Sequence, residues 1–189
     1  MILEKVNIGR VIKFWFGVIC LANLHGCAIN SNINVKSLDQ LTQNSWEIDG
    51  RIFLQYEEDA VNAKFTWIQE GVNFKCIISG PFGLEKIVIE GDDFGIQDII
   101  NDDNSTDIKT VLEQEISILD LKYWLLGIPN PGSISAEISQ SQAYIEFEQN
   151  NWIVKINKYQ TIDSHNLPKN IQARNLTSNL KIIIDNWRL

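Results

Sequence analysis

A run of carboxylates near the middle of the chain is the first group of residues that could do chemistry. Its members are Asp92, Asp93, Asp98, Asp102 and Asp103. Carboxylate oxygens bind Ca²⁺, but these residues do not have the spacing of a calcium-binding loop, so we predict a solvated loop. Within the run, "DFG" at 93–95 matches a kinase fragment. No glycine-rich phosphate loop, strand lysine or catalytic loop accompanies it, and we interpret it as a turn between strands.

Nucleophilic catalysis would depend on very few side chains. The chain has two histidines, and His25 lies in a segment that we predict to be removed, which leaves His165. A Ser-His-Asp site would need this imidazole beside an activated serine, and the G-x-S-x-G motif is absent. One histidine and Cys76, which an alternating pattern predicts to be buried, are too few ligands for a metal site. We therefore expect no enzyme, no catalytic residue, no metal and no cofactor.

The first 26 residues have the pattern of a secretory signal peptide. Lys5, Arg10 and Lys13 precede the apolar run "FWFGVICLANL" at 14–24, which is shorter than the roughly 20 apolar residues that span a bilayer. The run ends in "LHGC" at 24–27, which resembles the lipobox of bacterial lipoprotein signals. The resemblance implies removal of residues 1–26, a diacylglyceryl group on Cys27 and acylation of the new amino terminus. An ordinary signal peptide that contains a cysteine is the alternative.

Cysteine usage and charge limit the bonds and partners of the mature chain. Cys20 would leave with the signal and Cys27 would carry lipid, so Cys76 would have no disulfide partner. The formal net charge of −8 argues against nucleic acid, whose phosphates need a basic surface. It also argues against a helix that lysines hold to anionic lipid.

Residues 27–34 form a polar tether, and residues 35–189 read as a single domain. A short helix fits 35–43, and a helical pattern at 108–127 ends at Gly127 and Pro129. Segments that alternate between apolar and polar residues flank the central helical region. They are "WEIDGRIFLQY", "VNAKFTWIQ", "VNFKCIIS" and "EKIVIE" before it, and "QAYIEFEQ", "NWIVKINKYQ", "NIQARNL" and "LKIIIDNW" after it. These segments predict antiparallel strands, with a hairpin turn at Asn150 and Asn151 and a polar connection at "DSHNLP".

A single sheet of this length must curl, and its apolar face needs a cover. We therefore predict a fold that is mainly β with some α, in the α+β class. Its core is a strongly curved, unclosed antiparallel β-barrel, or half-barrel, with the central helices across its mouth.

Several short motifs occur together after the lipobox. They are "GRI" at 50–52, "FTWIQ" at 65–69, "GPFG" at 80–83, "YWLLGIPNP" at 123–131, "NWIVKINKY" at 151–159, "NLP" at 166–168 and the ending "LKIIIDNWRL". In this order they resemble the LolB family of outer-membrane lipoprotein receptors, over essentially the whole mature chain. Two departures are Phe82, where the family usually has leucine, and the acidic residues near Asp102.

The resemblance implies a function of passive transfer. A receptor of this family accepts acylated lipoprotein cargo from a LolA-type periplasmic carrier and inserts it into the inner leaflet of the outer membrane. The implied location is the outer membrane, with the lipid anchor in the bilayer and the domain facing the periplasm. The partners would be the carrier, the cargo and outer-membrane phospholipid, and we expect a monomer.

The resemblance also implies a helical lid over an apolar cavity. The lid residues would be Leu112, Leu121, Trp124 and Leu125. The acyl-chain cavity would be lined by Phe65, Trp67, Phe74, Ile78, Ile145, Phe147, Ile182 and Ile184. The alternative for these eight residues is that they pack a closed core.

The turn at Pro81, Phe82 and Gly83 places a bulky apolar side chain between two turn-forming residues. Our hypothesis is that Phe82 dips into the bilayer during release of cargo, and the alternative is that it plugs the rim of the barrel. Two further functions stay open. One is an anchored half-barrel that binds a small free lipid without a protein donor, and the other is a structural adaptor with a filled interior.

Overall fold

A computed structural model describes residues 44–80, 86–101, 117–133, 139–140 and 144–189. These residues form one sheet of ten strands and one helix. The strands are β1 (Trp46–Tyr56), β2 (Asp59–Glu70), β3 (Asn73–Ser79), β4 (Lys86–Asp92), β5 (Gly95–Asn101), β6 (Ser139–Gln140), β7 (Ile145–Gln149), β8 (Trp152–Ile162), β9 (His165–Arg174) and β10 (Ser178–Arg188). The helix, α1 (Ile118–Leu126), lies between β5 and β6 in the sequence.

The order of the strands shows how the barrel stays open. It runs β5-β4-β3-β2-β1-β10-β9-β8-β7-β6, and each neighbouring pair is antiparallel. β1 pairs with β10 in the middle of the sheet, where Ile52 lies opposite Ile182, so the two halves of the chain join there. Among the strands that the structure describes, β5 and β6 are the two edges and do not pair with each other. The prediction of an unclosed antiparallel barrel is confirmed.

Helix α1 indicates how strongly the sheet curves. It contacts both β5 and β9, which stand far apart in the strand order. A single short helix touches two such distant strands only if the sheet bends around it. The alternating burial of β1, in which every second residue from Trp46 to Leu54 is buried, shows that one face of the sheet is turned inward.

Two-residue turns join many of the strands. Asn150 and Asn151 both have positive φ, as the predicted hairpin requires. Asp93 and Phe94 form the turn between β4 and β5, which confirms the interpretation of "DFG". The predicted polar connection at "DSHNLP" is wrong, because only Asp163 and Ser164 turn, both with positive φ, and β9 already begins at His165.

Glycines on the inner face make room for aromatic rings. Gly50 lies opposite Phe65, and a Cβ at Gly50 would stand 2.5 Å from the Phe65 ring. Gly91 lies opposite Phe74 in the same way. Both glycines adjoin register shifts, in the β1–β10 and β4–β5 pairs, and bulges of this kind increase the local bend of a sheet.

Polar contacts account for two of the quoted motifs. The guanidinium of Arg51 donates to both carboxylate oxygens of Asp185, at 3.1 and 2.8 Å, across the β1–β10 pair. The indole of Trp187 donates to the carbonyl of Pro168 at 3.1 Å. Arg51 of "GRI" and Asp185 of "DNW" therefore join the two halves of the sheet, while Trp187 joins β10 to β9 within one half.

Candidate functional site

The eight residues predicted to line a cavity all lie on the inner face. Phe65 and Trp67 are on β2, Phe74 and Ile78 on β3, Ile145 and Phe147 on β7, and Ile182 and Ile184 on β10. All are buried, and the most accessible of them, Ile145, is 8 % exposed. The structure thus brings side chains from both halves of the sheet onto one apolar wall. That this wall accepts acyl chains stays a prediction.

Aromatic rings form a row along one end of this wall. Trp46 stacks on Trp67 with ring centroids 6.2 Å apart, and Trp67 stacks on Phe74 at 4.9 Å. The indole of Trp67 donates to Gln69 at 3.0 Å, and the Gln69 amide donates to the carbonyl of Gly71 at 2.8 Å. The glutamine of "FTWIQ" therefore satisfies a buried indole N–H, which would otherwise destabilise an apolar wall.

Helix α1 has defined ends. Ser117 is the N-cap and accepts a hydrogen bond from the backbone N–H of Asp120, while Gly127 ends the helix with φ 86°. Gly127 donates to the carbonyl of Trp124 and Ile128 donates to that of Tyr123, as in a Schellman motif.

The predicted lid residues of α1 face the interior. Leu121, Trp124 and Leu125 are all buried in the helix. Leu112 lies outside the described residues, as do Cys27, Pro81, Phe82 and Gly83.

A buried carboxylate that sequence reasoning missed attaches α1 to the β7–β8 turn. Asp120 accepts hydrogen bonds from the side chains of Asn130 at 2.7 Å, Ser133 at 2.9 Å, and Asn150. The side-chain oxygen of Gln149 accepts from the Trp124 indole at 2.9 Å and from the backbone of Asn130 at 3.0 Å. This polar network fixes the helix and the loop that follows it to one half of the sheet.

A buried cation attaches α1 to the other half. The side chain of Lys122 is 1 % exposed, and its ammonium lies 2.6 Å from the carboxylate of Asp93 in the β4–β5 turn. Asp93 is partly exposed in this turn. The predicted solvated loop is wrong for Asp92 and Asp98, which lie in β4 and β5, and Asp102 and Asp103 lie outside the described residues. The pairing of Asp93 with a helix was not predicted. Because α1 is attached to both halves, it bridges the open side of the barrel.

The remaining reactive side chains are ill suited to catalysis. Burial raises the pKa of the Cys76 thiol to about 12, so the nucleophilic thiolate is scarce at neutral pH. His165 lies in β9, and its Nδ1 is buried without a hydrogen-bond partner. Among the described residues, no group of three His, Cys, Asp or Glu side chains is placed to hold a metal ion.

Cys76 also gives a pH dependence of stability. In the unfolded chain the thiol loses its proton near its ordinary pKa of about 8.5, whereas the folded state retains the proton up to about pH 12. The stability present below about pH 8.5 is therefore lost as the pH rises, at up to about 1.4 kcal/mol per pH unit. Between about pH 8.5 and 10, urea unfolding should show a loss about 2 kcal/mol larger for the wild type than for Cys76→Ala. Equal losses in the two proteins would contradict this prediction.

In the described part of the chain, no helix is both long enough and apolar enough to cross a membrane.

Comparison with known proteins gives matches over most of the chain. The family model described as outer membrane lipoprotein LolB matches residues 44–187. The Outer-membrane lipoprotein LolB of Francisella tularensis subsp. tularensis (strain WY96-3418) is 26 % identical, over 98 % of both chains. The protein of that name from Coxiella burnetii is 25 % identical, over 77 % of this chain and 72 % of the other. A crystal structure of a DUF1329 family protein from Desulfovibrio piger, 9 % identical, superposes with a TM-score of 0.51 over 81 % of this chain and 89 % of that one, a likeness of fold alone.

Proposed function

The chain belongs to the LolB family of outer-membrane lipoproteins, and we propose that it accepts acylated proteins from a LolA-type periplasmic carrier and inserts them into the inner leaflet of the outer membrane. The observation that carries this proposal is the apolar inner wall of an unclosed sheet, covered by a helix that bridges the opening. A lipid on Cys27 would keep the domain at the membrane.

The free energy of hydration explains why a protein is needed for this transfer. Each methylene group withdrawn from water contributes about 0.8 kcal/mol, so one chain of about 14 carbons exposed to water costs on the order of 10 kcal/mol. Acyl chains must therefore move from one apolar shelter to the next. An inner wall of aromatic and branched side chains from both halves of the sheet offers such a shelter.

The close packing of the wall implies that an acyl chain displaces something to reach it. Trp67, Ile182 and Ile184 have no exposed surface, so no water-sized space adjoins them. Helix α1 is the cover, and it is attached at two places, one of which contains more hydrogen bonds than the other. The Asp120 and Gln149 network holds it to the β7–β8 turn, while the Lys122–Asp93 pair holds it to the β4–β5 turn. We place the opening at the second attachment.

The transfer itself is the direct test of the proposed function. The full-length protein in liposomes would be mixed with a carrier–lipoprotein complex whose cargo carries radiolabelled palmitate. We expect labelled lipoprotein to leave the carrier and to appear in the liposome fraction, and liposomes without the protein serve as the control. If the cargo stays on the carrier and the protein binds only free palmitate, the proposal is wrong and the protein is a receptor for small lipids.

Replacement of Phe82 by glutamate should separate acceptance from delivery. Burial of a phenylalanine in lipid is worth about 1.5–3 kcal/mol, so the variant should deliver cargo to the membrane about tenfold more slowly or worse. It should still remove cargo from the carrier. The measurement is the share of labelled cargo on the carrier, the protein and the membrane over time.

Phe94→Glu provides a matched control. Phe94 is almost fully exposed and lies in the turn after β4, whereas Phe82 precedes β4 in the sequence. We expect Phe94→Glu to deliver cargo at the wild-type rate. Loss of folding or of acceptance in Phe82→Glu would favour Phe82 as a plug of the rim.

A further inference from the structure

The outer face of the sheet carries a trough that the transfer of acyl chains does not use. It consists of two adjoining grooves of about 470 and 610 Å³, which share Ile153 and Arg174. We define the outer trough by Phe53, Lys155, Arg174, Lys181, Ile153 and Leu176. These side chains come from β1, β8, β9, β10 and the β9–β10 turn, and all of them belong to the described residues.

The strand register concentrates cations in the outer trough. Lys181 lies opposite Gln172, and Gln172 lies opposite Lys155, so the two lysines flank one glutamine. Arg174 is two positions from Gln172 on β9, which places it on the diagonal to both lysines, a separation of about 7–8 Å. In a chain of net charge −8, three cations at such spacing are a local reversal of sign.

These cations are incompletely neutralised by the protein. Lys155 lies 3.5 Å from Glu146 and also sits over the ring of Tyr144. Arg174 and Lys181 form no ion pair within the described residues. An anionic partner would therefore relieve repulsion among the three cations as well as form new ion pairs.

Large apolar side chains stand at the two ends of the outer trough. Phe53 is 43 % exposed at one end, and Leu176 is fully exposed at the other. Leu176 is held outward by a defined turn, in which the side-chain oxygen of Asn175 accepts hydrogen bonds from the backbone of Thr177 at 2.9 Å and Ser178 at 2.7 Å. Exposed apolar groups around a basic centre fit a partner that is both acidic and apolar.

We propose that the outer trough binds an extended acidic segment of a partner protein, in which carboxylates alternate with apolar side chains. The part of the trough from Phe53 on β1 to Lys155 on β8 crosses three strand spacings of about 4.8 Å, a length covered by about four extended residues. Glu146 and Glu148 on the rim would repel a continuous anionic surface such as a membrane. A peptide segment can avoid this repulsion by placing its carboxylates away from the two glutamates. The site lies on the face opposite the inner wall, so both can be occupied together.

Two labelled peptides test this proposal. The full-length protein in nanodiscs of zwitterionic lipid would be titrated into fluorescein-labelled Leu-Glu-Phe-Glu-Leu-Glu, and into the same peptide with lysine in place of glutamate. We expect the fluorescence anisotropy of the acidic peptide alone to rise, and its affinity to fall with added salt because the contacts are ionic. No binding of the acidic peptide, or equal binding of both peptides, would overturn the proposal.

Paired charge reversals locate the binding. Arg174→Glu/Lys181→Glu should weaken binding of the acidic peptide at least tenfold. Lys64→Glu/Lys169→Glu changes the net charge equally at exposed positions outside the trough and should alter affinity less than twofold. Equal weakening by both pairs would overturn the assignment. Binding of phosphatidylglycerol vesicles through Arg174 and Lys181, without binding of the peptide, would also overturn the proposal. The outer trough would then be a membrane contact.

Discussion

Asp93→Ala is expected to lower the free energy of unfolding by about 3–5 kcal/mol, the usual cost of leaving one partner of a buried ion pair alone. Lys122 is buried and Asp93 is its ion-pair partner, so the alanine variant leaves a buried lysine without that carboxylate. Removal of the other partner, Lys122, should lower the free energy of unfolding much less. Lys122→Met removes the charge and keeps most of the side-chain volume, and the carboxylate of Asp93, which is 41 % exposed, returns to water.

A double-mutant cycle measures this asymmetry. Urea unfolding of Asp93→Ala, Lys122→Met and the double variant should show that Lys122→Met recovers most of the stability that Asp93→Ala loses. Asp92→Ala is a suitable control, because Asp92 caps the same turn and bonds Gln97 and the backbone of Phe94, not the helix. Equal losses for Asp93→Ala and Lys122→Met would show that the ammonium is not held in the interior.

Asp120→Ala should cost about 3 kcal/mol or more, because three side-chain donors converge on this buried carboxylate. Hydrogen bonds to a charged group contribute about 1.5–3 kcal/mol each, and the partly exposed partners recover some of this from water. The variant should also detach the loop after α1 from the β7–β8 turn. Hydrogen exchange of the Asn130 amide, which is bonded to Gln149, reports that detachment.

Ser133→Ala is the matched control for Asp120. It removes one of the three donors and leaves the carboxylate with two, so we expect a loss of about 1 kcal/mol. If Asp120→Ala were no more destabilising than Ser133→Ala, the carboxylate would not be the centre of the network.

The strands were predictable because alternation with a period of two is a local property of the sequence. Cys76 and Ile78 illustrate this, since both were placed on the apolar side and both are buried. The end of α1 was predictable from an equally local signal, since Gly127 has the left-handed conformation that glycine commonly adopts at the end of a helix. The pairing of β1 with β10 depends on contacts between distant parts of the chain, and no local pattern encodes it.

Asp120 and Lys122 show why part of the site escaped prediction. Each lies in "ILDLKYW" where a charged residue indicates the solvent face of an amphipathic helix. Both are buried, because α1 is covered on more than one side as it bridges the two halves of the sheet. The connection at "DSHNLP" was mistaken for a related reason. Polar residues and Pro168 suggest a loop, but the β8–β9 register shifts beside Pro168 and accommodates it within the strand.

Photo-cross-linking tests whether the acyl chains of cargo lie against the inner wall. Benzoylphenylalanine would replace Phe147, on the inner wall, or Phe53, on the outer face, an aromatic side chain for an aromatic side chain in each case. After incubation with a carrier–lipoprotein complex that carries radiolabelled palmitate, irradiation should transfer label to the protein at position 147 and not at position 53. Label at position 53 alone, or at neither position despite transfer of cargo, would show that the acyl chains do not lie against the inner wall.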